Sequence, residues 1–235
     1  MVQKKLLMIV NPTAGRSKPR GPLFDAAALF SQAGYLLSIR QTESPGDAIK
    51  IAAECGEDTD VVVAVGGDGT LNQTISGLMS LEQRPLLGYL PRGSTNDFAA
   101  SLHISSDPAA AADQILHGQR RALDIGRWNE RYFVYVASFG AFTRSSYTAP
   151  QAAKNALGHL AYILEGMKDL NSLRPYQIRL TADGEVLDGS YLFGAVCNST
   201  SIGGLMKLNP ERVVLDDGKF ELLLIPSPRT PQDLQ

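Results

Sequence analysis

Apolar positions along the first ninety residues come in two alternating patterns. Lys5–Val10 carries the run LLMIV and reads as a first strand. Helical spacing follows around Leu23–Ala33. Tyr35–Gln41 is a second strand that Thr42 closes. Pro45-Gly46-Asp47 opens a helix through Glu54, with Ala48, Ile49, Ala52 and Ala53 expected inward. Val61–Val65 is apolar, mostly β-branched and free of charge, which reads as a third strand buried on both faces. Leu71, Ile75, Leu78 and Met79 return to helical spacing, and Pro85–Leu90 is a fourth strand. Strands alternating with helices through short connections predict a doubly wound parallel sheet in an α/β unit. A helix over Pro108–His117 closes that unit.

From Arg120 the pattern changes. Ala122–Trp128, Arg131–Gly140, Tyr176–Ala182, Val186–Asn198 and Lys219–Ile225 read as strands, several in hairpin order, interrupted by one helix over Ala152–Leu170. Asp183-Gly184 between two strands is a hairpin turn. The expectation is a parallel-sheet unit over residues 1–120 and a mostly antiparallel, β-rich unit over 121–235.

Composition narrows the class without naming a reaction. The 235 residues carry a net charge of −2, so no overall field draws the chain to nucleic acid. Cys55 and Cys197 have no metal-ligand spacing and read as buried, reduced thiols of a cytosolic protein. No run approaches the ~20 apolar residues of a membrane helix. Lys4 and Lys5 before LLMIV do not make a signal peptide. A lipid substrate would therefore be met at a membrane surface. His103, His117 and His159 are scattered and read as structural. We find no internal repeat, low-complexity tract or nucleic-acid motif.

The chemistry concentrates where strands end. After the third strand, Gly66, Gly67, Asp68, Gly69 and Thr70 form a glycine turn into a helix. Such a turn presents backbone N–H groups to phosphate, and its acid can hold magnesium directly or through water. After the first strand, Asn11-Pro12-Thr13-Ala14-Gly15 sits where open parallel sheets bind ligands. Arg16, Lys18 and Arg20 read as a solvated basic loop. After the fourth strand, Pro91-Arg92-Gly93-Ser94-Thr95-Asn96-Asp97-Phe98-Ala99 is another turn into a helix, with Ser94 or Thr95 as its expected cap. Alone, Asp97 would be a first-turn acid; beside Asp68 at the same sheet edge it suggests a shared magnesium site. Asp124 in LDIG stands open between an outward strand residue and a functional acid. A Walker loop, GxGxxG after a strand and GxSxG are all absent from the sequence.

Together NPTAG at 11–15, GGDGTLN at 66–72, PRGSTNDFAASL at 91–102, LDIG at 123–126 and LDDGKFEL at 215–222 resemble the diacylglycerol kinase catalytic-domain family, which includes bacterial lipid kinases and the sphingosine and ceramide kinases. The GGDGT element is shared with NAD kinases and phosphofructokinases; the Gly-Ser-Thr-Asn-Asp-Phe-Ala segment is more specific to lipid kinases. The resemblance implies an N-terminal nucleotide unit, a C-terminal β-sandwich-like unit and a cleft between them. It implies ATP contacts at Asn11, Pro12, Thr13, Ala14, Gly15, Thr42, Gly66, Gly67, Asp68, Gly69, Thr70, Leu71, Asn72 and Thr95. Asp68, Asp97 and Asp124 would form a water-linked acidic cluster placing Mg2+. By the same similarity a second, structural metal maps to Asp217 with carbonyls near Val214 and Lys219. Composition alone explains Asp216-Asp217-Gly218 as a plain turn. The implied activity is transfer of the ATP γ-phosphate to the primary hydroxyl of diacylglycerol or a similar lipid alcohol. The implied setting is the cytoplasm, peripheral at the inner membrane surface, and a homodimer is compatible with it.

The sequence departs from that pattern in one respect. The family's base is an Asp in an Asp-Gly-Glu motif near the C-terminus, and none follows Lys219. Asp183-Gly184-Glu185 lies in the wrong place for it. The expectation is that the natural polypeptide continues, or that a truncated form binds nucleotide unproductively and leaves sheet edges exposed. Two further readings stand beside the lipid kinase: an NAD kinase-like enzyme, and a non-catalytic nucleotide- or lipid-binding module.

Overall fold

The structure, a computed structural model, describes residues 3–14, 21–140, 174–202 and 206–227. Its first part alternates β1 (Lys5–Val10), α1 (Gly21–Gln32), β2 (Leu36–Gln41), α2 (Asp47–Cys55), β3 (Val61–Gly66), α3 (Asp68–Leu78), β4 (Leu86–Pro91), α4 (Asp97–Ser101) and α5 (Pro108–His117). The four strands form a parallel sheet in the order β2-β1-β3-β4.

Because successive side chains on a strand point to opposite faces, both faces need cover. Leu6, Met8, Val61, Val63 and Val65 pack against Ala26 and Phe30 of α1 and Ala111 and Ala112 of α5. Leu7, Ile9 and Val62 pack on the other face against Ala48 and Ala52 of α2 and Leu78 of α3. All six residues of β3 are buried, as its uncharged run demands. Helix α2 turns Ala48 and Ala52 inward, but Ile49 is exposed, so its buried stripe is narrower than the spacing suggested. Asp107 caps α5 by accepting the Ala110 N–H at 2.8 Å, with Pro108 in the first turn.

The second part is antiparallel. Strands β5 (Gly126–Trp128) and β6 (Arg131–Phe133) pair with each other. A four-stranded sheet has β9 (Glu185–Cys197) at its centre, paired with β7 (Val136–Gly140), β8 (Tyr176–Ala182) and β12 (Glu221–Pro226). The short strands β10 (Ser201–Ile202) and β11 (Met206–Lys207) were not anticipated. Asp183 and Gly184 turn β8 into β9 with φ of 52° and 84°, the left-handed pair a two-residue hairpin requires. Phe193, Ala195, Cys197 and Ile202 form the core on one face of this sheet. Burial and the Glu221 charge push the Cys197 thiol up to about 12, so it is inert packing; Cys55 is half-buried and also unpaired.

Two expected strands are shorter. Ala122–Trp128 is a strand only from Gly126, because Asp124 commits its N–H to Leu215 O (2.8 Å) and its carbonyl to Asn198 Nδ2 (3.2 Å) instead of a ladder. Arg131–Gly140 breaks at Val134 and Tyr135, because the Asn72 amide takes the Val134 N–H at 3.2 Å and donates to Tyr132 O at 3.1 Å. The helix expected over Ala152–Leu170 lies outside the described residues. No helix among them is long and apolar enough to cross a membrane.

Candidate functional site

All four parallel strands end at one edge of the sheet, and every candidate turn of the first part follows such an end. The ladder continues into these turns. Asn11 N donates to Val65 O, Thr42 N to Val10 O and Arg92 N to Gly66 O, at 2.9, 2.9 and 2.6 Å. The turns after β1, β2, β3 and β4 are thus locked side by side.

Gly67 and Gly93 lie back to back. A Cβ on Gly93 would sit 2.6 Å from the Gly67 Cα, and one on Gly67 would sit 3.1 Å from the Gly93 Cα. Glycine is required because two backbones meet here. Asn96 braces the second turn: its Oδ1 accepts the Gly93 N–H at 2.8 Å and its Nδ2 donates to Gly93 O at 3.0 Å. Its own φ of 53° is the left-handed conformation that asparagine tolerates.

Ser94 and Thr95, the expected caps of α4, are exposed, and the N-cap position falls to Asn96, which makes no side-chain cap bond. Asp68 does the capping from another helix. Its two oxygens accept the N–H groups of Asp97 and Phe98, both at 3.3 Å. Asp68 is therefore the hinge of both turns: first residue of α3, and acceptor for the opening amides of α4.

Asp97 is buried at 5% exposure and faces the second part of the chain. Its Oδ2 accepts from the Tyr135 hydroxyl and its Oδ1 from the Ser201 hydroxyl, each at 2.8 Å. Burial pushes the pKa of Asp68 up, and the Asp97 charge adds to this; the Phe98 and Asp97 amides oppose it. Burial, then the charge of Asp68, also raises the Tyr89 phenol above its ordinary value. An acid that desolvation and a neighbouring acid both disfavour as an anion fits a bound divalent cation, which would relieve both effects.

The third acid, Asp124, makes a contact of its own. Asp124 Oδ2 accepts the Gly218 N–H at 2.7 Å, and Asp217 Oδ1 accepts the Lys219 N–H at 3.0 Å. Asp124 thus holds the Asp217-Gly218 turn, and Asp68 receives the Asp97 amide. Among the described residues no group of three or more His, Cys, Asp and Glu side chains is spaced to hold a metal directly. Asp217 and Val214 are exposed, and the Asp217 charge contributes, after burial, to raising Glu221.

Of the remaining predicted contacts, Asn11 works locally. Its Oδ1 accepts from Thr13 N and Thr13 Oγ1, and its Nδ2 donates to Thr70 Oγ1 at 3.1 Å. Pro12 and Ala14 shape the same turn, and Gly15 lies outside the described residues. Leu71 is core, at 2% exposure beneath the turn. Asn72 points to the β6–β7 connection, as described above. Gly69 is open, since a Cβ there would meet nothing within 4 Å, and Thr42 is half-buried at its strand end. Tyr135, Ser101, Ser199, Thr200 and Ser201 were not foreseen.

The chain is similar to known proteins across this whole arrangement. The family profile described as the diacylglycerol kinase catalytic domain matches residues 5–128, and that described as the YegS C-terminal NAD kinase beta sandwich-like domain matches residues 136–232. A diacylglycerol kinase of Bacillus subtilis (strain 168) is 40% identical over 224 residues, which cover 94% of this chain and 74% of the relative. One from Staphylococcus aureus (strain bovine RF122 / ET3-1) is 37% identical over 225 residues, 95% of this chain and 71% of the relative. A crystal structure of a diacylglycerol kinase from Bacillus anthracis strain Sterne superposes with a TM-score of 0.76 at 28% identity, covering 97% of this chain and 75% of that one. With the turns, the paired acids and both profiles falling in the same order along the sequence, the chain belongs to the diacylglycerol kinase catalytic-domain family.

Proposed function

We propose that the chain is a lipid kinase that transfers the γ-phosphate of ATP to the primary hydroxyl of diacylglycerol or a similar lipid alcohol. One observation carries the reading: the two glycine turns touch at Gly67 and Gly93, and Asp68 ties them together beside Asp97. ATP would lie along the sheet edge, against the Asn11–Ala14 turn, Thr42, Gly66–Thr70 and Thr95. The similarity of the chain to kinases of this family supports that placement.

The chemistry asked of the protein is mostly positioning. Phosphoryl transfer passes through a loose transition state, so orientation and charge neutralisation carry most of the acceleration. The opening amides of α3 present N–H donors and the positive end of the helix to phosphate oxygens. Asp68, Asp97 and Asp124 are the residues that would hold magnesium through water, and the ion supplies charge neutralisation at the phosphates when bound. Asn11 fixes the turn that flanks them, and Leu71 anchors the start of α3 in the core. The oxygen-only donors at Asp217 and the carbonyls near Val214 and Lys219 suit a second hard cation with a structural role.

Transfer of labelled phosphate from ATP to diacylglycerol in vesicles, with NAD as the competing acceptor, tests the reading. Lipid product is the expected result. NAD product would favour the NAD kinase-like reading, which the description of the second family profile keeps in view. Calorimetric binding of ATP and magnesium with neither product would favour a binding module. Asp68→Ala should abolish transfer with the fold retained; activity in that variant would remove the acid pair from the mechanism.

A further inference from the structure

We propose that Tyr135 and Ser201 are positioning residues for Asp97: two hydroxyls from the antiparallel part of the chain that aim an acid belonging to the parallel part. The proposal rests on the kinase reading for its consequence, and on the hydrogen bonds alone for its geometry.

Asp97 begins α4 and is nearly enclosed. A carboxylate taken out of water must have its oxygens satisfied by donors. Here the Tyr135 hydroxyl serves Oδ2 and the Ser201 hydroxyl serves Oδ1, both at 2.8 Å. A donor on each oxygen fixes the plane of the carboxyl group as well as its position. Tyr135 lies in the break between β6 and β7, and Ser201 opens β10.

The same contact is reinforced one turn further along α4. Ser101 Oγ donates to Asp97 O at 3.0 Å. It also lies 2.9 Å from Ser199 Oγ and 3.1 Å from Thr200 Oγ1, and accepts the Thr200 N–H at 3.2 Å. Ser199 in turn accepts the Ser201 N–H and donates to Ser201 O, at 3.2 and 2.8 Å. Three successive hydroxyl residues, Ser199, Thr200 and Ser201, therefore grip α4 at both ends. Ser101 and Ser199 are buried, while Thr200 and Ser201 are partly so.

An interface that served only cohesion would do as well with apolar groups, since burying paired polar groups gains little net stability. What the hydroxyls add is direction. Asp97 N–H is bound by Asp68, and Asp97 carboxylate by Tyr135 and Ser201. The separation of the two acids is thereby set jointly by both parts of the chain. A small displacement of the antiparallel sheet is passed to the acid pair.

The test uses the full chain with Tyr135→Phe, Ser201→Ala, the double variant and Ser201→Thr. Loss of either hydroxyl should lower kcat for diacylglycerol about 10- to 100-fold, the usual effect of removing a residue that orients a metal-binding group. KM for ATP should stay near the wild-type value. Ser201→Thr, which keeps the hydroxyl, should restore kcat. Hydrogen exchange in chelator gives a second, activity-free reading: the Asp97 and Phe98 amides should exchange faster in Tyr135→Phe and Ser201→Ala, while β3 amides do not change. In an Asp97→Asn background, Tyr135→Phe should add nothing further to exchange. Unchanged kcat together with unchanged exchange overturns the proposal, as does a rise in KM alone. If the wild-type chain transfers no phosphate to any lipid tested, the kinase reading fails by itself, and faster or unchanged exchange at α4 decides the positioning role.

Discussion

Replacing Gly93 by alanine is the sharpest test of the back-to-back turns. The new methyl would lie 2.6 Å from the Gly67 Cα and 2.7 Å from Asn96 Oδ1. Neither neighbour can swing away. Gly67 follows a residue whose carbonyl is bound by Arg92 N, and Asn96 is held by two bonds to Gly93 itself. Restoring normal carbon–carbon separation would part the two turns by roughly 1 Å. Overpacking of this kind costs about 1–3 kcal/mol. For a chain of this size each 1 kcal/mol moves Tm by about 2–4 °C, so Gly93→Ala should melt roughly 4–8 °C below wild type at mid-range. Gly69→Ala is the matched control: a Cβ there meets nothing within 4 Å, and the residue sits in α3, where alanine is favoured by up to about 1 kcal/mol. Thermal melts by circular dichroism, with nucleotide binding by calorimetry, read both variants. The control should melt at or above wild type. A wild-type midpoint for Gly93→Ala, or an equal loss in Gly69→Ala, would refute the close-approach argument.

Asn72→Ala should lower stability by about 1–3 kcal/mol in urea unfolding, because Tyr132 O and Val134 N both lose their partner; an unchanged midpoint would mean solvent replaces both bonds. Asp47 accepts from the Glu43 and Ser44 N–H groups and the Ser44 hydroxyl, which together hold its pKa below the ordinary 3.8. A depressed carboxylate stabilises the fold above its unfolded pKa, and the contribution is lost as pH falls through the folded one. Asp47→Ala should therefore be less stable at neutral pH and converge with wild type in acid; parallel pH profiles would count against it. Asp217→Ala should lower the melting temperature in magnesium but not in chelator, and equal shifts in both would remove the structural metal.

The parallel half of the fold was legible because burial on both faces leaves a simple trace. Val61–Val65 has no polar residue to confuse the reading, and the turn that follows must be where the chain reverses into a helix. Adjacency of β3 and β4 then brought Asp68 and Asp97 together on sequence grounds. The antiparallel half was less legible because its strands are cut by side chains from elsewhere. Asn72 interrupts the run at Val134, and Asp124 serves a turn instead of a ladder. Neither event has a periodic signature. Tyr135 and Ser201 escaped for the same reason: a single hydroxyl carries no spacing, and its partner is 38 or 104 residues away in sequence.

Strand β9 supports three neighbours, and these differ in how they can form. Its pairing with β8 closes through two residues, whereas β7 and β12 reach it from distant parts of the sequence. Loop-closure entropy is paid before such distant pairings return any stabilisation. The β8–β9 hairpin is thus the natural starting point of assembly for this sheet. Tyr135 immediately precedes β7, so its bond to Asp97 sits beside one of these long-range pairings. The geometry of the acid pair therefore depends on these distant pairings as well as on the parallel sheet that carries both acids.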